Sequence, residues 1–189
     1  RMKIRQDFEM LRDHLIIIRQ NYNTYNDLFF SGNDDILIKT ASTFFHDIAE
    51  IMQRDWILQV CKIMDSAETT KNKVKFQNIT IKLIDEQLRS QNLMSIKVEL
   101  LSKSILCFGE KLPLARNKRL AHFDREYQVN GIVLGLTSET ELLQFLDDIQ
   151  QYADEVGNLI GVGALDFSSS GCQGDVFDLI KVLREFHEL

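Results

Sequence analysis

The sequence predicts an all-α, up-and-down helical bundle, and three observations carry the prediction. One Pro and nine Gly in 189 residues leave long stretches without a break. Apolar residues within those stretches recur at spacings of three and four, the period of a helix with one buried face. The breaks between them are short, so consecutive helices pack as antiparallel neighbours. A chain of 189 residues fits one domain with ample core. That domain is expected over 1–189, with its core in about 2–165 and a C-terminal loop and extra helix in 166–189.

Residues 2–30 carry the first helical pattern, through Phe8, Leu11, Leu15, Ile18, Tyr22 and Tyr25. Ser31-Gly32-Asn33-Asp34 breaks it; Gly32 supplies the stop, and Asp34 or Asp35 the next N-cap. A second helix over about 36–64 has the stripe Leu37, Ala41, Phe44, Phe45, Ile48, Ile51, Met52, Trp56, Val60 and Met64, read as core. Residues 65–77 read as a polar loop or frayed turn. Asn78 or Thr80 starts a short helix to about Arg89. The next, over 94–108, is expected to turn Ile96, Leu100, Ile105 and Phe108 inward, and Gly109 ends it.

Pro113 then stands in the first turn of a helix running to about Glu126, where its missing N–H costs nothing. Tyr127 to Leu136 is a less regular connection that includes an extended piece. Ser138 with Glu141 forms a capping box for a long helix over about 138–160, weakened at its end by Gly157, Gly161 and Gly163. Phe167 to Gly174 is a Ser/Gly loop. A last amphipathic helix, about 175–187, carries Val176, Leu179, Ile180, Leu183 and Phe186. No internal repeat or low-complexity segment interrupts this order.

Apolar content of 44% and charge of 26% are ordinary for a globular protein. A net charge of −6 argues against a general nucleic-acid coat but leaves room for a local site. Lys111, Arg116, Lys118 and Arg119 form one basic cluster; Lys71, Lys73, Lys75 and Lys82 form another, read as solvated surface. The three Cys are odd in number and scattered. Cys61 and Cys107 sit in apolar runs and read as buried thiols. No spacing suggests a disulfide framework or zinc, so a reducing cytoplasm is the expected location. No secretory leader is legible, and Leu15-Ile16-Ile17-Ile18 is far too short to span a bilayer.

The most informative stretch is Arg116-Asn117-Lys118-Arg119-Leu120-Ala121-His122. At about 100° per residue, Leu112, Leu120, Phe123 and Tyr127 share one helix face, and Arg116 lands inside it. Arg119 and His122 step away from that face by about 60° each. A guanidinium on an apolar face needs an anion, because a buried unpaired charge is very costly. Either a protein carboxylate or a ligand supplies it. A His beside it, titrating near neutral pH, makes a phosphate-containing ligand attractive.

This stretch resembles the signature of the HEPN superfamily: an Arg, four to six residues, then a His, often with Asn, Asp or His after the Arg. Arg116, Asn117 and His122 match in type, order and spacing. The surrounding RNKRLAHFD is most similar to the abortive-infection, U-type branch. So are the run through Asp55-Trp56, the Lys62-Ile63-Met64-Asp65 ending and the Asn78-Ile79-Thr80 helix start. The resemblance covers roughly residues 2 to 165. It implies a HEPN-type bundle, RNA as substrate, cleavage without metal or other cofactor, and a homodimer built around the motif. It also implies a place in bacterial antiphage defence, with an antitoxin or defence-system protein as a further partner. HEPN toxins paired with nucleotidyltransferase antitoxins carry a Tyr two residues after the His. Asp124 stands there in this chain, and the nearest Tyr is Tyr127, so that modification site is not carried over.

The implied chemistry has a physical basis. RNA brings its own nucleophile, the 2′-OH. Cleavage then needs a group to take that proton, one to protonate the leaving 5′-oxygen, and cations for the phosphorane. His122 suits either proton transfer, and Arg116 can fork two phosphoryl oxygens. One His is poorly placed to do both, but two motif helices meeting about a two-fold axis bring two His122 and two Arg116 to one cleft. Asp65 is a candidate carboxylate for Arg116, and Asn117 points about 100° away to brace a neighbouring helix. Arg119 lies between Arg116 and His122 and competes for the role of working cation. Lys111 and Lys118 are the candidate RNA-binding lysines. The alternative is a non-catalytic helical module for dimerisation or for binding a nucleotide or partner protein.

Other constellations fail. His14, His46 and His187 lie in separate helices without metal-ligand spacing. Asp34-Asp35, Asp147-Asp148 and Asp154-Glu155 read as solvated charge. Cys172 lies in a Ser/Gly loop without a nearby His, and no Gly-rich loop follows a strand to cradle a nucleotide.

Overall fold

The computed structural model describes residues 2–112, 137–169 and 171–188. The described residues form six helices and one small hairpin: α1 (Met2–Phe29), α2 (Asp34–Met64), β1 (Glu68–Lys71), β2 (Val74–Gln77), α3 (Ile81–Ser90), α4 (Ile96–Gly109), α5 (Glu139–Leu159) and α6 (Val176–Glu188). The architecture is the predicted all-α bundle with an added C-terminal helix. The helix expected from Pro113 to about Glu126, and the connection from Tyr127 to Leu136, lie outside the described residues.

Two antiparallel pairs build the bundle. Polar ties run in opposite chain directions along α1 and α2: His14 Nε2 lies 3.3 Å from the Gln59 carbonyl, Asn21 donates to Asp55, and Trp56 Nε1 donates to the Ile18 carbonyl. The second ladder joins α4 to α5 through Lys97–Glu155, Ser104–Asp148 and Lys111–Glu141. Between the pairs lies a core of Phe8, Leu11, Leu15, Ile18, Val60, Ile84, Leu88, Ile105, Phe145, Ile149 and Val156. Phe108 stacks on Phe145 at 4.4 Å, and Trp56 meets both rings edge-on. A second, smaller cluster of Leu28, Leu37, Phe45 and Ile180 joins α6 to the α1–α2 turn.

The caps follow the chemistry expected of them. Thr80 and Ser95 accept from the backbone N–H of Leu83 and Val98. Ser138 and Glu141 complete a capping box. The start of α2 differs from expectation, since Asn33 is the cap rather than Asp34 or Asp35, and its side chain makes no capping bond. It donates to the Asp27 carbonyl and accepts from Arg184, tying the end of α1 to α6.

Several expectations are overturned. Residues 65–77 are not a loop: β1 and β2 form an antiparallel hairpin, Glu68 opposite Gln77 and Lys71 opposite Val74. Asn72 and Lys73 both take positive φ, as a two-residue hairpin turn requires. In α4 the inward stripe is Val98, Leu101, Ser102, Ile105 and Phe108, while Ile96 and Leu100 are 79% and 63% exposed. Cys107 is exposed, and Cys61 is buried as expected. On α2, Phe44 and Ile51 face outward at 58% and 56% exposure, because the side toward α1 is set by Phe45, Trp56 and Val60. A departure from helical backbone at Ala41 also shifts the phase of the first turns. Asp148 is buried rather than solvated, accepting from Ser104 and Gln144.

Candidate functional site

Leu112 and Thr137, which bracket residues 113–136, line one hollow of about 270 Å³. Its wall is Asn21, Tyr22 and Tyr25 of α1, Met52, Gln53, Trp56 and Ile57 of α2, and Leu142 of α5. Leu112 is buried and its N–H closes a turn onto the Gly109 carbonyl. The chain therefore leaves and returns against the same α1–α2 surface. Arg116, Asn117, Lys118, Arg119 and His122 lie outside the described residues.

Two of the predicted site residues are described, the supporting Asp65 and the RNA-binding candidate Lys111. Asp65 is the C-cap residue of α2 and is exposed. It lines a second hollow of about 270 Å³ with Cys61, Met64, Lys82, Leu106, Gly109 and Glu110. Gly109 packs closely on Met64: a Cβ there would stand 1.4 Å from its sulfur, so the flexible Met64 side chain would have to move. The end of α4 thus reaches the end of α2, and Asp65 stands close to the chain shortly before Arg116. Lys111 is engaged by Glu141. The Lys111 ammonium, and then the Ser138 N–H, hold the Glu141 carboxyl down to about 2.

The remaining histidines are not brought together. His14 is half-buried against Gln59, and burial lowers its pKa below the usual 6.5. His46 is exposed and sits 3.8 Å from Glu50, while His187 bonds Thr40 at 2.9 Å. Among the described residues no group of three or more His, Cys, Asp or Glu is placed to hold a metal ion.

One constellation escaped the sequence reading. Asp85 of α3 is buried and accepts from Ser102 of α4 and, at 2.9 Å, from the Tyr152 hydroxyl of α5. Burial raises the Asp85 pKa above the ordinary 3.8, against the pull of the two hydroxyls, and pushes the Tyr152 phenol upward. The signal was present: Ile81, Ile84, Asp85 and Leu88 fall on one helix face, so the carboxylate belongs to an apolar stripe.

An all-α bundle of two antiparallel helix pairs, with the Arg-Asn…His stretch between α4 and α5, defines a HEPN-type protein. The sequence model of the AbiU2 family matches residues 3–179, and the chain belongs to that HEPN family. No curated protein and no solved structure matches it. No described helix is long and apolar enough to cross a membrane.

Proposed function

We propose that the chain is a metal-independent endoribonuclease of a bacterial antiphage, toxin-type defence system, with a composite site at a homodimer interface. The supporting observation is the family match, whose span of 3–179 includes Arg116, Asn117 and His122 at motif spacing. His122 of one protomer takes the 2′-OH proton, and the second His122 protonates the leaving oxygen. Arg116, forked on the phosphoryl oxygens, carries the charge of the phosphorane. Asp65 aims that guanidinium from the end of α2, Asn117 braces the helix, and Arg119 adds positive potential. Lys111 and Lys118 hold flanking phosphates, and two protomers concentrate these cations despite the acidic total. An antitoxin or another defence protein restrains the activity in the cell.

The test is cleavage of RNA by purified protein in EDTA. Products ending in 2′,3′-cyclic phosphate, with DNA left intact, are expected, because DNA lacks the nucleophile. Activity lost in EDTA and restored by magnesium would remove the transesterification mechanism. Intact RNA in the presence of a folded dimer would leave the non-catalytic module.

A further inference from the structure

We propose that the hollow framed by Tyr22, Tyr25 and Trp56 holds one unstacked nucleobase of RNA. The assignment rests on the RNA reading above, and it adds a base-reading site to a motif that addresses only phosphate and ribose. At about 270 Å³ the hollow falls just below the ~300 Å³ lower end for pockets that take drug-sized ligands. It therefore suits one ring system rather than a folded dinucleotide.

The lining chemistry selects a neutral planar group. None of the described lining residues is charged, so these walls themselves offer a phosphate no countercharge. Three aromatic side chains provide stacking surface, the usual way proteins hold bases splayed from single-stranded RNA. Two primary amides, Asn21 and Gln53, stand among them. An amide offers a donor and an acceptor side by side, matching the alternating edge of a base.

The walls are fixed in advance. The Trp56 indole donates to the Ile18 carbonyl at 3.1 Å and abuts Phe108 and Phe145. Tyr25 packs on Phe29 and Phe30, and its hydroxyl accepts from Gln53 Nε2. Asn21 Nδ2 donates to Asp55 at 3.3 Å. Each amide nitrogen carries two hydrogens and these bonds use one. In the proposed complex the base pairs with the second N–H and the amide oxygen. The position is also apt, since Leu112 and Thr137 on the wall bracket the segment that holds Arg116 and His122.

Trp56 is the one tryptophan of the chain, so its emission reports occupancy directly. The full chain is titrated with each of the four nucleoside 5′-monophosphates and, separately, with ribose 5-phosphate. The expected result is quenching by at least one mononucleotide below about 10 mM and none by ribose 5-phosphate, which lacks the base. Gln53 is exposed, and Gln53→Leu should weaken the binding about fivefold or more, the loss of one amide–base pair. Tyr22→Leu should weaken it as well, with both melts checked by circular dichroism. No quenching by any mononucleotide overturns the proposal, as does equal quenching by ribose 5-phosphate. Unchanged affinity in folded Gln53→Leu and Tyr22→Leu proteins overturns it too. The readout is binding, so a chain that cuts no RNA can still bind a base. A chain that cuts RNA but binds none retains the nuclease reading and loses this one.

Discussion

The Asp85 carboxylate accepts the Tyr152 hydroxyl at 2.9 Å inside the core, and Ser102 donates to its other oxygen. Three helices are joined at one buried acid. Replacement of Asp85 by Ala takes the acceptor from the Ser102 hydroxyl and leaves Tyr152 only the Ile81 carbonyl at 3.5 Å, for a loss of about 1–3 kcal/mol. Asp85→Asn, which mimics the protonated acid, should cost much less. The pH dependence has a definite sign. The folded-state pKa of Asp85 is raised above 3.8 by burial, so the folded state favours the proton. The stability this gives is complete below 3.8 and is lost as pH rises through the folded value. Urea midpoints of wild type and Asp85→Asn, measured from below that value to neutrality, should diverge, wild type losing ground as pH rises. Parallel curves would show that the acid is not strained by its burial.

Gly157 offers a second stability test. A Cβ there would lie 2.3 Å from the Gly163 carbonyl oxygen, a backbone atom that a rotamer change cannot move. The N–H groups of Val162 and Gly163 both donate to the Gly157 carbonyl, and Gly163 takes φ +91°. Gly157→Ala gains helix propensity but must push this turn away, for a net loss of about 1–3 kcal/mol. Thermal melts decide it; an unchanged or raised midpoint would mean that the turn relaxes freely.

What was legible in the sequence, and what was not, follows from the range of the forces involved. Helix ends set by local chemistry were readable, such as Thr80 before Ile81 and the Ser138–Glu141 box. The hairpin was not: every residue of β1 and β2 is exposed, so no alternation marks them, and the turn is Asn-Lys rather than Asn-Gly. The phase of α4 was missed because Ile96 and Leu100, four apart, pair at helical spacing, although Ile105, nine residues from Ile96, falls on the opposite side. Val98, Leu101, Ile105 and Phe108 keep the regular three-and-four spacing, and the bond from Ser102 to Asp85 lies on that same face. Of the candidate site, Arg116, Asn117 and His122 were legible as a motif alone. The hollow between Leu112 and Thr137 draws on α1, α2 and α5, and no local pattern encodes it.

The Lys111–Glu141 pair yields a prediction about RNA affinity. Both side chains are part-exposed at 38% and 45%, so the pair itself adds little stability. It does occupy a lysine proposed to hold phosphate. Glu141→Gln keeps an acceptor for the Ser138 N–H and frees the ammonium. RNA binding at low salt should tighten, and the slope of log affinity against log salt should steepen by about 0.7, one added phosphate contact. Lys111→Ala should shift both the other way. If Glu141→Gln leaves the slope unchanged in filter binding, Lys111 is a structural partner of α5 and not an RNA contact.

The division of labour within the motif is the last test, and its outcome ranks the three cations. His122→Ala should slow RNA cleavage about 10²- to 10⁴-fold, the usual loss with a general acid or base. Arg116→Ala should cost about 10²- to 10³-fold if it stabilises the phosphorane, by analogy with a lost oxyanion donor. Arg116→Lys should restore little, since a point charge cannot fork two oxygens. A small effect of Arg119→Ala leaves Arg116 as the working cation; a large one exchanges their roles. His14→Ala and His46→Ala should leave the rate near wild type, because neither side chain lines the hollow and each is paired elsewhere, His14 with the Gln59 carbonyl and His46 with Glu50. Light scattering of each variant should report the same dimer, and melts the same fold. Full activity in both Arg116→Ala and His122→Ala, or activity lost only with the fold, would make the motif structural. The chain would then act as a HEPN scaffold.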